Sequence, residues 1–224
     1  MGKINTLRVI ALVVVGVAAA QAFAMQPSNA NSWRLWAALL AAYGVLGGLA
    51  VLAFRNNSEL PRPILLPKGG DLSLGVLVGV VTVAVAFLGL QVIAGPGTGR
   101  EIWLFRLYAQ SGNIQGESQL TILLGLVVVL EELVWRGWVL SSLRTVSERW
   151  AAPLSALAYA LAHLPVFFTL GDPVAGGNPL IPLAALGGGL VWGYMTQLTG
   201  RVLPTIIAHG VFTYFLVGPP PRLF

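Results

Sequence analysis

Long apolar runs alternate with short polar segments along almost the whole chain. Seven of these runs approach or exceed the length of about 20 residues that a helix needs to cross a bilayer. They lie at 6–25, 33–54, 72–94, 118–140, 150–170, 180–198 and 202–218. Because lipid offers no partners for backbone N–H and C=O groups, such spans are helices. The pattern predicts an all-α fold, a polytopic transmembrane helix bundle of about seven spans.

The first apolar run has two interpretations. Lys3 precedes it and Arg8 lies at its start, and Ala22 and Ala24 near its end form an Ala-X-Ala sequence like a signal-peptidase site. The run is long for the apolar core of a signal peptide, so we interpret it as a retained first helix. Cleavage would leave six spans and would not change the orientation of the others.

Glycines four residues apart recur inside the runs. Small residues at this spacing let helices approach closely in lipid, so each pair predicts a helix contact. The pairs are Gly44 with Gly48, Gly75 with Gly79, and Gly189 with Gly193.

The composition is that of a membrane protein with little soluble mass. The 224 residues are 56% hydrophobic and 9% charged, whereas soluble domains contain about 25% charged residues. The net charge of +5 is spread over short loops without a basic run, so we expect no nucleic-acid partner. The segment 95–100 lacks the spacing of a phosphate-binding loop, so we expect no nucleotide. The absence of cysteine excludes disulfides, thiolate metal ligands and a cysteine nucleophile.

The basic residues in the loops predict an orientation. With the N-terminus inside, inner loops hold more of them than outer loops, as the positive-inside rule requires. The inner set is Lys3, Arg8, Arg55, Arg62, Lys68, Arg144, Arg149 and Arg201, and the outer set is Arg34, Arg100, Arg106 and Arg222.

The fourth run carries three formal charges, on Glu131, Glu132 and Arg136. A charge at the centre of a membrane helix costs about 2.5–3.5 kcal/mol on insertion scales, so such residues mark a functional site by default. In a helix Glu132 and Arg136 share a face and are natural ion-pair partners. Glu131 is rotated from them by about 100° and stays free to meet water or substrate. It is therefore the candidate general base.

The two histidines of the chain lie in the fifth and seventh runs. His163 follows Tyr159 by four residues, and Thr213 follows His209 by four, so each pair shares a helix face. Their depths, counted at about 1.5 Å per residue from the inner ends of the runs, overlap with that of Glu131. We therefore expect these side chains to converge on one cavity in the inner half of the membrane.

These residues resemble the motifs EExxxR, FxxxH and HxxxN of the CAAX protease and bacteriocin-processing family, also called the Abi family. Its best-known members are the Ras-converting prenyl-protein endopeptidases. The first motif is complete from Glu131 to Arg136 and is followed by Gly137. The order and the spacing of all three motifs fit, and the resemblance covers roughly residues 118–218.

The other two motifs each depart from the family pattern at one position. Tyr159 replaces phenylalanine before His163, and its added hydroxyl needs a partner. Thr213 replaces asparagine after His209 and keeps one hydrogen-bond donor instead of two. Loss of one oxyanion donor costs about 10²–10³ in rate. The third motif therefore leaves open a slower enzyme, another donor or a member without catalysis.

The resemblance implies a glutamic-type intramembrane endopeptidase that cuts a membrane-anchored protein or peptide without a cofactor. A glutamate and a histidine would activate water, the third motif would stabilise the oxyanion, and the ion pair would hold the site together. The catalytic residues would be Glu131, His163, His209 and Thr213, and the supporting residues Glu132, Arg136 and Tyr159.

The resemblance also suggests how the chain is divided and where it resides. Residues 1–117 would form the N-terminal spans and their loops, 118–218 the catalytic helical core, and 219–224 a short tail. The expected location is the bacterial cytoplasmic membrane. The sequence contains no recognisable determinant for binding a prenyl group or a particular substrate.

Three alternatives remain open from the sequence. Two histidines and one glutamate are also the ligand set of some catalytic zinc sites, although HExxH is missing. The departure at Thr213 is compatible with a non-catalytic bacteriocin-immunity or scaffold protein. Intramembrane glutamate and histidine also form the proton relays of proton-coupled transporters.

Overall fold

The computed structural model describes residues 3–58, 60–61, 63–111 and 117–217, and within them the chain is helical without a β-strand. Arg62, Arg222 and the predicted tail at 219–224 lie outside the described residues. The helices are α1 (Lys3–Ala24), α2 (Trp33–Asn56), α3 (Asp71–Ala94), α4 (Glu101–Ser111), α5 (Glu117–Glu132), α6 (Leu140–Arg144), α7 (Glu148–Ala162), α8 (Leu164–Thr169), α9 (Leu180–Thr199) and α10 (Leu203–Val217). A π-helical turn at Leu133–Val139 joins α5 to α6, and a 3₁₀ turn at Pro27–Asn29 precedes α2.

Helices occupy all seven predicted runs, which confirms an all-helical integral membrane protein. Among the described residues, four helical segments are long and apolar enough to cross a membrane, namely Asn5–Ala24, Trp33–Asn56, Asp71–Ala94 and Glu148–Thr169. The predicted number of seven spans is therefore not confirmed. The fourth run is interrupted by its π turn, and α10 has only 15 residues, fewer than the roughly 20 of a full span.

One end of the bundle is organised by α4, and we call it the α4 end. The side-chain amide of Gln110 donates to the carbonyl oxygens of Ala24 and Gln26, at 2.9 and 3.0 Å. Arg106 forms an ion pair of 2.8 Å with Asp172 in the loop between α8 and α9. Backbone N–H groups of the loop, with Arg106, hold the pKa of the Asp172 carboxyl below its usual range. Thus α4 is fastened to the end of α1 and to the α8–α9 loop.

The opposite end is held by a second ion pair. Arg201, in the turn between α9 and α10, binds both carboxylate oxygens of Asp71 at 2.8 and 2.6 Å. It also donates to the carbonyl of Leu66, while the N–H of Ile64 donates to the carbonyl of Gly200 at 2.9 Å. These contacts tie the loop before α3 to the start of α10.

Helix α1 is part of the core of the bundle. Val13, Val17 and Ala24 are fully or almost fully buried. The hydroxyl of Thr6 donates to the carbonyl oxygen of Ser142 at 3.3 Å, which links α1 to α6. The first predicted helix therefore packs on the segment that carries the acidic residues.

Two of the three glycine pairs lie in tight helix contacts. A Cβ added to Gly75 would lie 2.6 Å from Cβ of Ile207, so α3 and α10 are in close contact there. A Cβ added to Gly189 would lie 3.1 Å from Cα of Ala156, on α7. The prediction for Gly44 is wrong within the described chain, because that residue is exposed and nothing lies within 4 Å of an added Cβ.

We expect Gly75→Ala to destabilise the protein, because the new methyl group would overlap Ile207 across the α3–α10 contact. Overpacking of this kind costs about 1–3 kcal/mol. Gly89→Ala is the matched control on the same helix, since nothing lies within 4 Å of its added Cβ. Unfolding in detergent, followed by circular dichroism, measures both. Equal stability of the two variants would contradict this packing.

The predicted orientation can be tested with single cysteines, because the chain has none of its own. Val174, in the α8–α9 loop at the α4 end, is 96% exposed, and Val146, in the turn after α6 at the opposite end, is 40% exposed. In intact cells we expect a membrane-impermeant maleimide to label Val174→Cys and to spare Val146→Cys until the membrane is permeabilised. The reverse pattern would show that the N-terminus is outside.

Candidate functional site

The two glutamates lie where the α-helical backbone changes to a π-helical turn. Helix α5 ends at Glu132, and in the following turn the N–H of Leu140 donates to the carbonyl of Trp135, five residues earlier. The sequence predicted a continuous α-helix here. A π turn inserts an extra residue and is frequent at functional sites. Its side chains from Val134 to Val139 are buried, so the turn faces the interior of the bundle.

Glu131 lies in the wall of a cavity and is the meeting point of several polar side chains. Its side chain is 8% exposed. Its Oε2 accepts a hydrogen bond of 3.2 Å from the hydroxyl of Tyr159, and the hydroxyl of Tyr43 lies near the same carboxylate. The Nε2 atoms of His163 and His209 lie 3.8 and 3.6 Å from its Oε1 and Oε2. The hydroxyl that distinguishes Tyr159 from the family's phenylalanine thus has the carboxylate as its partner.

His163 is held by a backbone bond at a helix break. It lies between α7 and α8, with Pro165 in the first turn of α8. Its Nδ1 is 2.8 Å from the carbonyl oxygen of Tyr159. Because a carbonyl only accepts, Nδ1 is the donor in this bond. In a neutral ring Nε2 is therefore unprotonated, and this is the atom that faces Glu131.

Glu132 joins the first and the third motif. It is fully buried, and its Oε1 lies 3.1 Å from Nη1 of Arg136 and 2.8 Å from Nδ1 of His209. The ion pair expected from the spacing is present in the structure. The contact of Glu132 with His209 on α10 was not predicted from the sequence. An ionised carboxylate only accepts, so it fixes Nδ1 of His209 as a donor.

Arg136 is packed between two aromatic rings. Its Cζ lies 4.8 Å from the ring centroid of Tyr159 and 5.2 Å from that of Trp192. Its guanidinium nitrogens have no hydrogen bond with ideal geometry to any described residue. The cation is therefore stabilised by the charge of Glu132 and by the faces of the rings. The ring of Trp192 also stacks on His209 at 4.1 Å between centroids.

The cavity has a volume of about 140 Å³ and is lined mostly by apolar side chains. Thr213, one turn after His209 on α10, lies in its wall, so the four predicted catalytic residues border one space. The wall extends to Gln21 and Gln110 at the α4 end. The sequence had predicted a cavity in the inner half, but the structure extends it to the end that the charge count places outside. The reason is that the π turn and α6 continue the helix, so Glu131 lies near the middle of 117–144.

Tyr43 and Trp192 are site residues that the sequence analysis missed. Both are buried, and each contacts a predicted site residue, Glu131 in the first case and His209 in the second. A hydroxyl in the apolar run 33–54 was the available signal for Tyr43. Trp192 had no comparable signal, because aromatic residues are common in membrane helices.

The sequence left open a zinc site at these residues. Within the described ranges, no three His, Cys, Asp or Glu side chains are grouped so that they could hold a metal ion. Glu131, His163 and His209 have suitable donor atoms, but Tyr159 already donates to the carboxylate. The site is therefore organised by hydrogen bonds and one buried ion pair.

The fold and the site together define an integral membrane protein with a buried, polar, intramembrane site. Residues 115–215 match the family described as Type II CAAX prenyl endopeptidase Rce1-like. The match covers all three motifs and extends into α10, so this segment of the chain is similar to that family. At the level of the family, this implies an intramembrane peptidase of the CAAX-protease type. No curated protein and no solved structure matches the chain.

Proposed function

We propose that this protein is an intramembrane endopeptidase that hydrolyses a peptide bond of a membrane-anchored protein or peptide with glutamate-activated water. One observation carries the proposal. The carboxylate of Glu131 borders an apolar cavity and is faced by Nε2 of His163 and of His209, both within 4 Å. A carboxylate base and two imidazoles around one point can supply the proton transfers of amide hydrolysis.

Glu131 and His163 are the groups that activate the water. Their separation of 3.8 Å is too long for a direct hydrogen bond, and groups so placed are commonly bridged by water. Glu131 accepts one proton of the water while the water oxygen forms a bond to the substrate carbonyl carbon. His163, whose Nε2 is an acceptor, holds the second hydrogen and orients the attack. When the C–N bond breaks, the leaving nitrogen takes the proton from Glu131.

His209 and Thr213 stabilise the negative charge that develops on the carbonyl oxygen. Nδ1 of His209 already donates to Glu132 at 2.8 Å, so Nε2 donates to the oxyanion only when the ring is an imidazolium. The carboxylate of Glu132 accepts the hydrogen bond from Nδ1 and attracts that positive charge. Thr213 supplies a hydroxyl from the next turn of α10. Two donors aimed at the oxyanion are the usual composition of such a site.

Arg136 and Tyr159 act on the geometry of the site. Arg136 balances Glu132 and lies against the ring of Tyr159, and the hydroxyl of Tyr159 holds Glu131. Preorganised supports of this kind keep reacting groups in place. The roles of both residues are therefore those of positioning residues.

We propose that the reaction needs no metal, with the carboxylate held by its hydrogen bond from Tyr159. Cleavage by purified protein is then expected to persist after dialysis against a strong chelator. Loss of cleavage on chelation, restored by zinc, would instead assign Glu131, His163 and His209 to a zinc site.

The substrate and location follow from the same proposal. The site lies among membrane-spanning helices, so the substrate is anchored in the same bilayer. We propose the bacterial cytoplasmic membrane, with the N-terminus on the inner side, where most loop Lys and Arg residues then lie.

The most direct search for the substrate compares the termini of membrane proteins between cells. Cells with the wild type and with Glu148→Gln, a control at a carboxylate that is 57% exposed, are expected to share a cleaved terminus. That terminus should be missing from cells with Glu131→Gln, because a side-chain amide then replaces the carboxylate that acts as the base.

Identical termini in all three strains, with no cleavage by purified wild type, would contradict the proposal. A bacteriocin-protection phenotype that survives in Glu131→Gln would favour the non-catalytic immunity role. Proton-gradient-driven uptake into proteoliposomes would favour the transporter.

A further inference from the structure

Two side chains that line the cavity at the α4 end each carry a buried polar atom without a partner among the described residues. The atoms are Oε1 of Gln21, on α1, and Nε1 of Trp36, on α2. The two side chains are 3% and 5% exposed. Buried polar atoms are nearly always paired in proteins. Both residues also lie outside the segment 115–215 that matches the family.

The chemistry of the two atoms is complementary to a peptide backbone. The amide oxygen of Gln21 needs a donor, and the indole N–H of Trp36 needs an acceptor. A peptide supplies both, whereas a hydrocarbon chain supplies neither. A substrate that is helical in lipid already pairs its own N–H and C=O groups. Only an unwound segment presents free backbone groups to this wall.

The two residues lie at one depth in the bundle. Gln21 is three residues before the end of α1, and Trp36 is three residues after the start of α2. Tyr43, seven residues further along α2, lies near Glu131. Seven residues of helix span about 10 Å, which an extended chain covers with about three residues at roughly 3.3 Å each.

We propose that Gln21 and Trp36 form a subsite for the peptide backbone of an extended substrate, about three residues from the bond that is cut. The inference rests on the proposed peptidase function. The subsite supplies new hydrogen-bond partners for backbone groups that a substrate helix frees when it unwinds. It selects apolar sequences, because Met25, Leu35 and Leu39 line the adjoining wall.

Helix α4 closes this end of the cavity. The amide nitrogen of Gln110 is already bound to the carbonyls of Ala24 and Gln26, so it holds α4 in place. Gln21 is the amide whose oxygen remains for a ligand. The N-terminal helices thus supply substrate contacts that the motif-bearing segment does not contain.

The test uses synthetic peptides that copy the cleavage site found by comparing termini. In separate peptides, the amide of the second, third or fourth residue on either side of the cut is replaced by an ester, which removes one N–H donor. With wild type in detergent, kcat/KM should fall about tenfold for one ester near the third residue and little for the others. With Gln21→Met, the all-amide peptide should lose a similar factor, and that ester should add almost nothing.

Matched controls lie on the outer surface of the bundle. Gln91→Met on α3 and Trp33→Phe on α2 alter exposed residues of the same types, and both should keep the wild-type profile of ester effects. Trp36→Phe keeps the ring and removes the N–H, and should lower kcat/KM by about fivefold or more.

Cleavage of the peptides without coupling between the ester and Gln21→Met would overturn the subsite proposal alone. In that outcome the ester effects are the same in wild type and Gln21→Met, and the two unpaired atoms are satisfied by each other or by water. Failure of the wild type to cleave any all-amide peptide would overturn the proposed function itself. The two failures are therefore distinguishable.

Discussion

The polar centre of this bundle depends on one buried carboxylate, that of Glu132. It lies 3.1 Å from the guanidinium of Arg136 and 2.8 Å from the imidazole of His209. A buried charge that loses a partner is strongly destabilising, so these contacts fix the π turn against α10. Because Glu132 is paired with Arg136 and His209, Glu131 is the carboxylate that borders the cavity. Two adjacent residues of one type thus have different surroundings and different proposed roles.

The helix positions and the Glu132–Arg136 pair could be predicted from the sequence, because both follow from local periodicity. The π turn could not, since α and π turns contain the same residues and tertiary packing decides between them. The partnership of Glu132 with His209 joins residues far apart in the chain, and the motif spacing does not contain it. The extension of the cavity to the α4 end could not be predicted for the same kind of reason, because it depends on how α1, α2 and α4 surround α5.

Two parts of the chain contribute residues to the site. The segment that matches the family carries the three motifs, and α1 and α2 complete their surroundings. The hydroxyl of Tyr43 lies near Glu131, and Gln21 extends the cavity wall towards α4. Thr213, where the chain departs from the family pattern, still borders the cavity, one turn from His209. The departure therefore changes the donor at that position but leaves a hydroxyl in place.

The central claim is that Glu131 acts as the base in peptide hydrolysis. The most direct measurement is kcat/KM of purified wild type and Glu131→Gln for one all-amide peptide, with circular dichroism to show that both are folded. The claim predicts a fall of about 10²–10⁴, the usual contribution of a general base. Equal rates for the two folded proteins would contradict it.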